Sequence, residues 1–253
     1  MTALRLIVTL SGLLLLWQTV VWLGDVPAFI LPGPYAVAVA LIDRWQLLLM
    51  HGAITALEIL AGMALGVALG MASGALLVQF ATARRWLLPL LIASQAVPVF
   101  AIAPLLVLWL GYGVASKIAM ASLVIFFPVA ISFFDGLRRT DPAWLDLART
   151  MGASRTALMM QVRLPAALPS LASGLRVAAA VAPIGAVIGE WVGAAGGLGY
   201  LMTLSLARGQ TAVAFAALAL LTALGLILYF AIDALLRALI PWQADSVATD
   251  HRS

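Results

Sequence analysis

The sequence predicts an all-α polytopic membrane protein with about six spanning helices. Three observations carry that prediction. The composition is 64% hydrophobic and only 9% charged, with a mean hydropathy of +1.12, whereas soluble chains carry roughly 25% charged residues. Apolar runs long enough to cross a hydrocarbon core of roughly 30 Å recur along the chain. The arginines, finally, gather in alternate connections between those runs, as membrane topology requires.

Taken in order, Leu6–Gly24 is the first expected span, an uncleaved helix that follows Arg5 and lacks a small-residue cleavage site behind it. The proline-rich turn PAFILPGPYA comes next, then Tyr35–Met50, an expected interfacial helix with Asp43 and Arg44 set in an apolar frame. The second span, Ala53–Val78, carries Gly62, Gly66, Gly70 and Gly74 at every fourth position, a side-chain-free face on which another helix can pack backbone to backbone. Glu58 in this span is expected to face protein or the water boundary, since facing lipid is costly.

Arg84 and Arg85 precede a third span, Leu87–Trp109, with Pro89, Pro98 and Pro104. Prolines free backbone carbonyls that lipid cannot satisfy, so this span is expected to sit against protein or line a cavity. Ile118–Phe134 is a fourth span, broken by Pro128; Leu175–Ala195 a fifth, with Pro183 and Glu190; and Thr211–Ile240 a sixth, reached through the glycine-rich GAAGGLGYLM. The positive-inside rule puts both termini in the cytoplasm, with Arg5, Arg84, Arg85, Arg138, Arg139, Arg149, Arg155, Arg163, Arg176, Arg237 and Arg252 inside. Only Arg44, Lys117 and Arg208 fall outside.

One polar module interrupts the apolar runs: Asp141–Pro169, on the cytoplasmic side. It reads as two short helices. Asp141 caps the first, with Pro142 at its first position; Gly152 breaks the run; Ser154 caps the second; and Arg163-Leu-Pro165 ends it, because a residue before proline disfavours helical geometry. Ala148, Met151 and Ala153 give a small apolar face flanked by Arg149 and Arg155, suited to a groove on another protein.

Several chemistries are excluded. The chain has no cysteine, and His51 and His251 are too far apart in sequence to suggest a metal site. No cluster of His, Cys or paired carboxylates suggests catalysis. Lys117, the single lysine, does not follow the GxxxxG of a phosphate loop, so a partner must supply any nucleotide energy. The net charge of +4 reflects arginine placement in a membrane protein, not nucleic-acid binding.

The polar module also carries a resemblance. Asp146-Leu147-Ala148, Gly152 after three residues, Val162 after nine more, and Leu164-Pro165 reproduce the spacing E-A-A-x3-G-x9-I-x-L-P. That pattern resembles the cytoplasmic loop of membrane-spanning permease subunits of bacterial ABC importers of the type I fold. Asp146 and Leu147 depart from it, the first keeping the charge and the second replacing a small residue. Ala103-Pro-Leu, Trp109-Leu-Gly-Tyr-Gly, Phe127-Pro128, Gly174-Leu-Arg176 and Gly197-Leu-Gly199 look like the branch importing nitrate, sulfonates, taurine and thiamine pyrimidine precursors. Gly189-Glu-Trp-Val-Gly193, Gly199-Tyr-Leu-Met202, Phe215-Ala-Ala-Leu218 and Pro241-Trp-Gln243 most resemble the hydroxymethylpyrimidine type.

The resemblance implies a single permease domain over 1–253, with a core of about 51–240, in the bacterial inner membrane. It implies a cytoplasmic ATPase dimer using ATP and Mg, an external substrate-binding protein and a second copy of the chain as partners, with no cofactor bound by the chain itself. Asp146, Leu147, Ala148, Arg149, Met151, Gly152, Ala153, Ser154, Leu164 and Pro165 would couple to the ATPase. Ser94, Gln95, Pro98, Glu190 and Trp191 are candidate pathway residues, an intramembrane carboxylate being functional by default; alternatively Glu190 pairs with Arg208 and Gln95 satisfies freed carbonyls. The competing class is a channel or ion-coupled transporter working through Glu58 and Glu190.

Overall fold

A computed structural model describes residues 2–95 and 97–242. Its elements are all helical: α1 (Thr2–Leu23), α2 (Pro34–Asp43), α3 (Trp45–Gln79), α4 (Ala81–Ser94), α5 (Val99–Leu110), α6 (Val114–Arg138), α7 (Pro142–Thr150), α8 (Arg155–Ala157), a π-helical stretch Leu158–Arg163, α9 (Leu164–Gly193), α10 (Leu198–Ala207) and α11 (Thr211–Leu239). Among the described residues, four helical stretches are long and apolar enough to cross a membrane: Trp45–Gln79, Val114–Arg138, Arg155–Gly193 and Thr211–Leu239. The bent pair α4 and α5 brings the count to five. The remaining expected span, Leu6–Gly24, falls on the 22-residue helix α1, whose described apolar part is Ile7–Leu23.

The core is a sandwich of α3, α6 and α9, with α6 in the middle: Met120, Ile125 and Val129 are fully buried. The glycines explain how closely α3 lies on α6. A Cβ at Gly62 would stand 2.5 Å from the Ala121 Cβ, one at Gly66 2.8 Å from the Ser122 carbonyl oxygen, one at Gly70 2.9 Å from the Val129 Cβ, and one at Gly74 3.0 Å from the Phe133 ring. Side chains would push the helices apart at all four levels, so packing here is made by backbone. Gly174 gives α9 the same access to α6, beside the carbonyl oxygen of Pro128.

Four boundaries differ from expectation. Tyr35–Met50 is not one interfacial helix: the chain turns at Arg44 (φ −111°, ψ 19°), and Trp45 already opens α3. Leu87–Trp109 is not one span: α4 and α5 meet at 104°. Pro98, with extended ψ of 115° at the start of α5, lacks an N–H and pushes the preceding residue out of helical geometry. Pro128, by contrast, leaves α6 continuous. Pro165 does not stop the helix after Ser154 either. Leu158–Arg163 widens into a π-helical turn, with the Leu164 N–H donating to the Met159 carbonyl five residues back. That widening displaces the carbonyls a proline ring would strike, and Pro165 sits in the first turn of α9. The helix therefore runs unbroken from Arg155 to Gly193.

Candidate functional site

The polar module begins where α6 ends. Asp141 caps α7, its carboxylate accepting from the Ala143 N–H at 2.8 Å. At the other end the Gly152 N–H donates to the Arg149 carbonyl (2.9 Å) and the Ala153 N–H to the Ala148 carbonyl (3.0 Å). That bond pair closes a helix with a left-handed residue, and Gly152 has φ +81°. Nothing lies within 4 Å of a Cβ placed there, so the glycine is required by backbone conformation, not by space. Ser154 then caps α8 by accepting from the Ala157 N–H at 3.2 Å.

α7 buries Leu145 against the bundle and turns Trp144, Leu147 and Met151 outward, the last 78% exposed. With Ala148, Gln161, Val162, Pro165, Ala166, Pro169 and Trp242 they line an open, largely apolar groove of about 520 Å³. Asp146 and Arg149 form an exposed ion pair of 2.7 Å on the helix, which sets local charge but adds little stability. Leu147, the departure from a small residue, is a groove wall. Trp144 and Trp242, which the spacing pattern does not include, are the large aromatic parts of the groove. A second cleft, lined by Val78 and Gln79 of α3 with Arg149, Arg155, Met159 and Arg163, sets the end of α3 beside the module.

The candidate pathway residues are spread along the chain. Ser94 donates to the Leu91 carbonyl at 2.8 Å and lines a cavity of about 510 Å³ between α3 and α4. Gln95 and Pro98 lie at the α4–α5 bend, both exposed, and Trp191 is 47% exposed on α9.

Glu190 is 1% exposed and tied to a different feature, the glycine-rich turn before α10. Its Oε1 accepts from the Thr55 hydroxyl at 2.6 Å, and its Oε2 accepts from the Gly199 N–H at 2.5 Å. Thr55 Oγ1 in turn accepts from the Leu198 N–H at 2.8 Å, and His51 Nδ1 accepts from the Gly197 N–H at 3.0 Å. The first amides of α10, which have no partner within their own helix, are thus satisfied by side chains of α3 and α9, with a carboxyl at the positive end of the helix dipole. Gly197 has φ +103°, and a Cβ there would run into the Glu190 carboxyl. Arg208, proposed as the alternative partner of Glu190, lies at the opposite end of α10.

Glu58 stands beside Glu190 and interacts with it and with Lys117. Its Oε2 is buried with no hydrogen-bond partner among the described residues. The Lys117 ammonium donates to the carbonyls of Gly113 (3.1 Å) and Tyr112 (3.3 Å). Glu58 and Lys117 share a cavity of about 500 Å³ with Tyr112 and Gly196. His51, Thr55 and Lys117 were not singled out for this cluster from the sequence. Its only legible signals were two intramembrane carboxylates and the glycine-rich turn. Among the described residues no group of three or more His, Cys, Asp or Glu could hold a metal ion.

Comparison with known proteins agrees with this architecture. Residues 62–244 match the family described as binding-protein-dependent transport system inner membrane component. The chain is 54% identical to a probable ABC transporter permease protein of Haemophilus influenzae, over 90% of this chain and 93% of the relative. It is 36% identical to the formylaminopyrimidine transport permease protein ThiX of Halalkalibacterium halodurans, over 91% and 92%. It is also 39% identical to the riboflavin transport system permease protein RibX of Chloroflexus aurantiacus, over 96% and 91%. Among solved structures, the MetNI methionine ABC transporter in an inward-facing conformation has the same fold, with a TM-score of 0.67 and 23% identity over 78% of this chain and 97% of that one. The chain belongs to the binding-protein-dependent transport system inner membrane components, and is a multi-pass permease of the ABC importer type.

Proposed function

We propose that this permease is driven through the α7 groove by a separate cytoplasmic ATPase dimer, which binds the ATP and Mg that this chain does not. The observation that carries the reading is the groove itself: Trp144, Leu147 and Met151 are exposed on a short capped helix of the polar module, and an exposed apolar patch marks a protein-binding surface. The continuity of Arg155–Gly193 supports a direct mechanical role, because a force on the module reaches α9 without crossing a loop. Closure of the ATPase pair would draw two such modules together and turn the spans from one side to the other. Two copies of this chain, an external binding protein, and both termini in the cytoplasm complete the proposal.

The cargo is a small polar solute, best taken as a thiamine pyrimidine precursor of the hydroxymethylpyrimidine type. The relative whose name specifies formylaminopyrimidine supports this; the riboflavin relative points to a larger nitrogen heterocycle. Nitrate, taurine or an alkanesulfonate is the alternative. The test is ligand screening of the cognate binding protein, followed by uptake into proteoliposomes holding permease, ATPase and binding protein. Uptake of hydroxymethylpyrimidine or formylaminopyrimidine is expected. Uptake of taurine, an alkanesulfonate or nitrate alone would overturn the cargo assignment, and uptake without ATP would overturn the coupling.

A further inference from the structure

Glu58 on α3 and Glu190 on α9 meet inside the bundle, each 1% exposed, and their side chains hydrogen-bond each other. An ionised carboxylate only accepts hydrogen bonds. Two carboxyl groups can therefore bond to each other only when a proton lies between them. Without it, like charges in contact would repel in a site with little water to screen them.

The neighbouring donors decide which residue carries that proton. Glu190 accepts from the Thr55 hydroxyl (2.6 Å) and the Gly199 N–H (2.5 Å), and the Tyr200 N–H donates to it as well. That is the setting of an anion, at the positive end of α10. Glu58 has no such set: its Oε2 is buried with no hydrogen-bond partner among the described residues. An ionised carboxylate left in that state takes an unpaired charge out of water, which costs far more than a neutral acid with one idle carbonyl oxygen.

The surrounding groups agree. Lys117 on α6 is 4% exposed, its ammonium bound to the carbonyls of Gly113 (3.1 Å) and Tyr112 (3.3 Å). His51 on α3 adds no charge: its Nδ1 accepts from the Gly197 N–H at 3.0 Å, as only the neutral ring can. The phenols of Tyr112, in the cavity shared with Glu58, and Tyr200, packed on His51, complete the titratable set. One ammonium thus faces two carboxyl groups, and one proton balances them. A metal ion does not fit in its place. The idle Glu58 oxygen has almost no accessible surface, both Glu190 oxygens are engaged, and a hard cation takes about six oxygen ligands.

We infer that Glu58 is a proton-holding acid that donates a hydrogen bond to the Glu190 carboxylate and so fastens α3 to the turn before α10. Glu190 holds the first amides of α10, so the proton on Glu58 is part of the same clasp. Its release would set two anions against each other beside that turn. Glu58 acts through Glu190, as a positioning residue.

The test is clean because Glu58 and Glu190 are the only glutamates in the chain. The full chain, carrying carbon-13 at the glutamate side-chain carboxyl, is reconstituted in lipid bilayers at neutral pH. Infrared spectra are then recorded in light and heavy water. Wild type should show one carboxylic acid band, shifted by deuterium, beside one carboxylate signal of equal population. Glu58→Gln should lose the acid band and keep the carboxylate. Two carboxylates in wild type would overturn the proposal, as would an acid band that survives Glu58→Gln; if the variant fails to fold, the wild-type spectrum decides alone. Hydrogen–deuterium exchange of a peptide covering 194–204, compared at one pH, reads the clasp. Glu58→Gln, whose amide can still donate to Glu190, should stay within about twofold of wild type, while Glu58→Leu should exchange at least about tenfold faster, having lost a hydrogen bond to a charged group. Exchange in Glu58→Leu equal to wild type would overturn the role of Glu58 in holding the turn.

Discussion

Replacing Thr55 by valine tests the clasp between α3, α9 and the turn before α10. The side chain is fully buried, and valine keeps its shape while removing the hydroxyl. Two groups then lose a partner: the Leu198 N–H, whose bond to Thr55 is 2.8 Å, and Glu190 Oε1, whose bond is 2.6 Å. A buried polar group left unpaired costs about 1–3 kcal/mol. Glu190 keeps its bond from the Gly199 N–H, so the lower part of the summed range applies, about 2–4 kcal/mol. If this cost falls on local opening, an opening penalty smaller by about 2 kcal/mol raises amide exchange roughly 30-fold. Hydrogen–deuterium exchange of a peptide covering 194–204 in reconstituted protein reads this out, with Thr55→Ser as the control that keeps the hydroxyl. Exchange in Thr55→Val within twofold of wild type would show that the hydroxyl does not hold the turn.

Three further outcomes are expected. Gly152→Glu forces a side chain into a backbone at φ +81°, a strain of about 1–2 kcal/mol, and adds a carboxylate beside the groove; ATP-driven uptake by the reconstituted complex should fall at least about tenfold while the protein stays in the membrane. Leu147→Asp with Met151→Asp puts charge on the groove wall and should abolish copurification of the ATPase without changing helical content by circular dichroism; undiminished copurification would remove the groove from the coupling interface. Gly66→Leu with Gly70→Leu drives side chains into Ser122, Ile125 and Val129 of α6 and should prevent recovery of a monodisperse complex on size exclusion; a transport-active, intact double variant would refute backbone packing.

How much of the site was legible depended on the distance over which each signal acts. The caps at Asp141 and Ser154 and the left-handed Gly152 are decided within a few residues, by side-chain oxygens that compete for nearby amides and by a backbone only glycine tolerates easily. Trp144 and Trp242 come from separate parts of the sequence, and no local pattern says that they share a groove. Pro165 misleads in the same way. Read locally it ends a helix, but a π-helical turn before it removes the clash, and that turn became visible only in three dimensions.

By itself, the sequence determined that the chain spans a membrane several times, that it carries no phosphate loop, and that one polar module has a spacing resembling the cytoplasmic loop of ABC importer permeases. These follow from transfer free energy, from the presence or absence of specific side chains, and from local backbone preference, all of which act along the chain. Only the tertiary structure decided what the intramembrane carboxylates touch. Glu190 and Thr55 are far apart in sequence, and their meeting depends on α3 and α9 both packing on α6 through glycines. The same long-range packing of α9 on α11 brings Arg176 to Asp233. A charge inside an apolar span announces that it needs a partner, because burying it alone is costly, but only the packing of the helices selects which partner it finds.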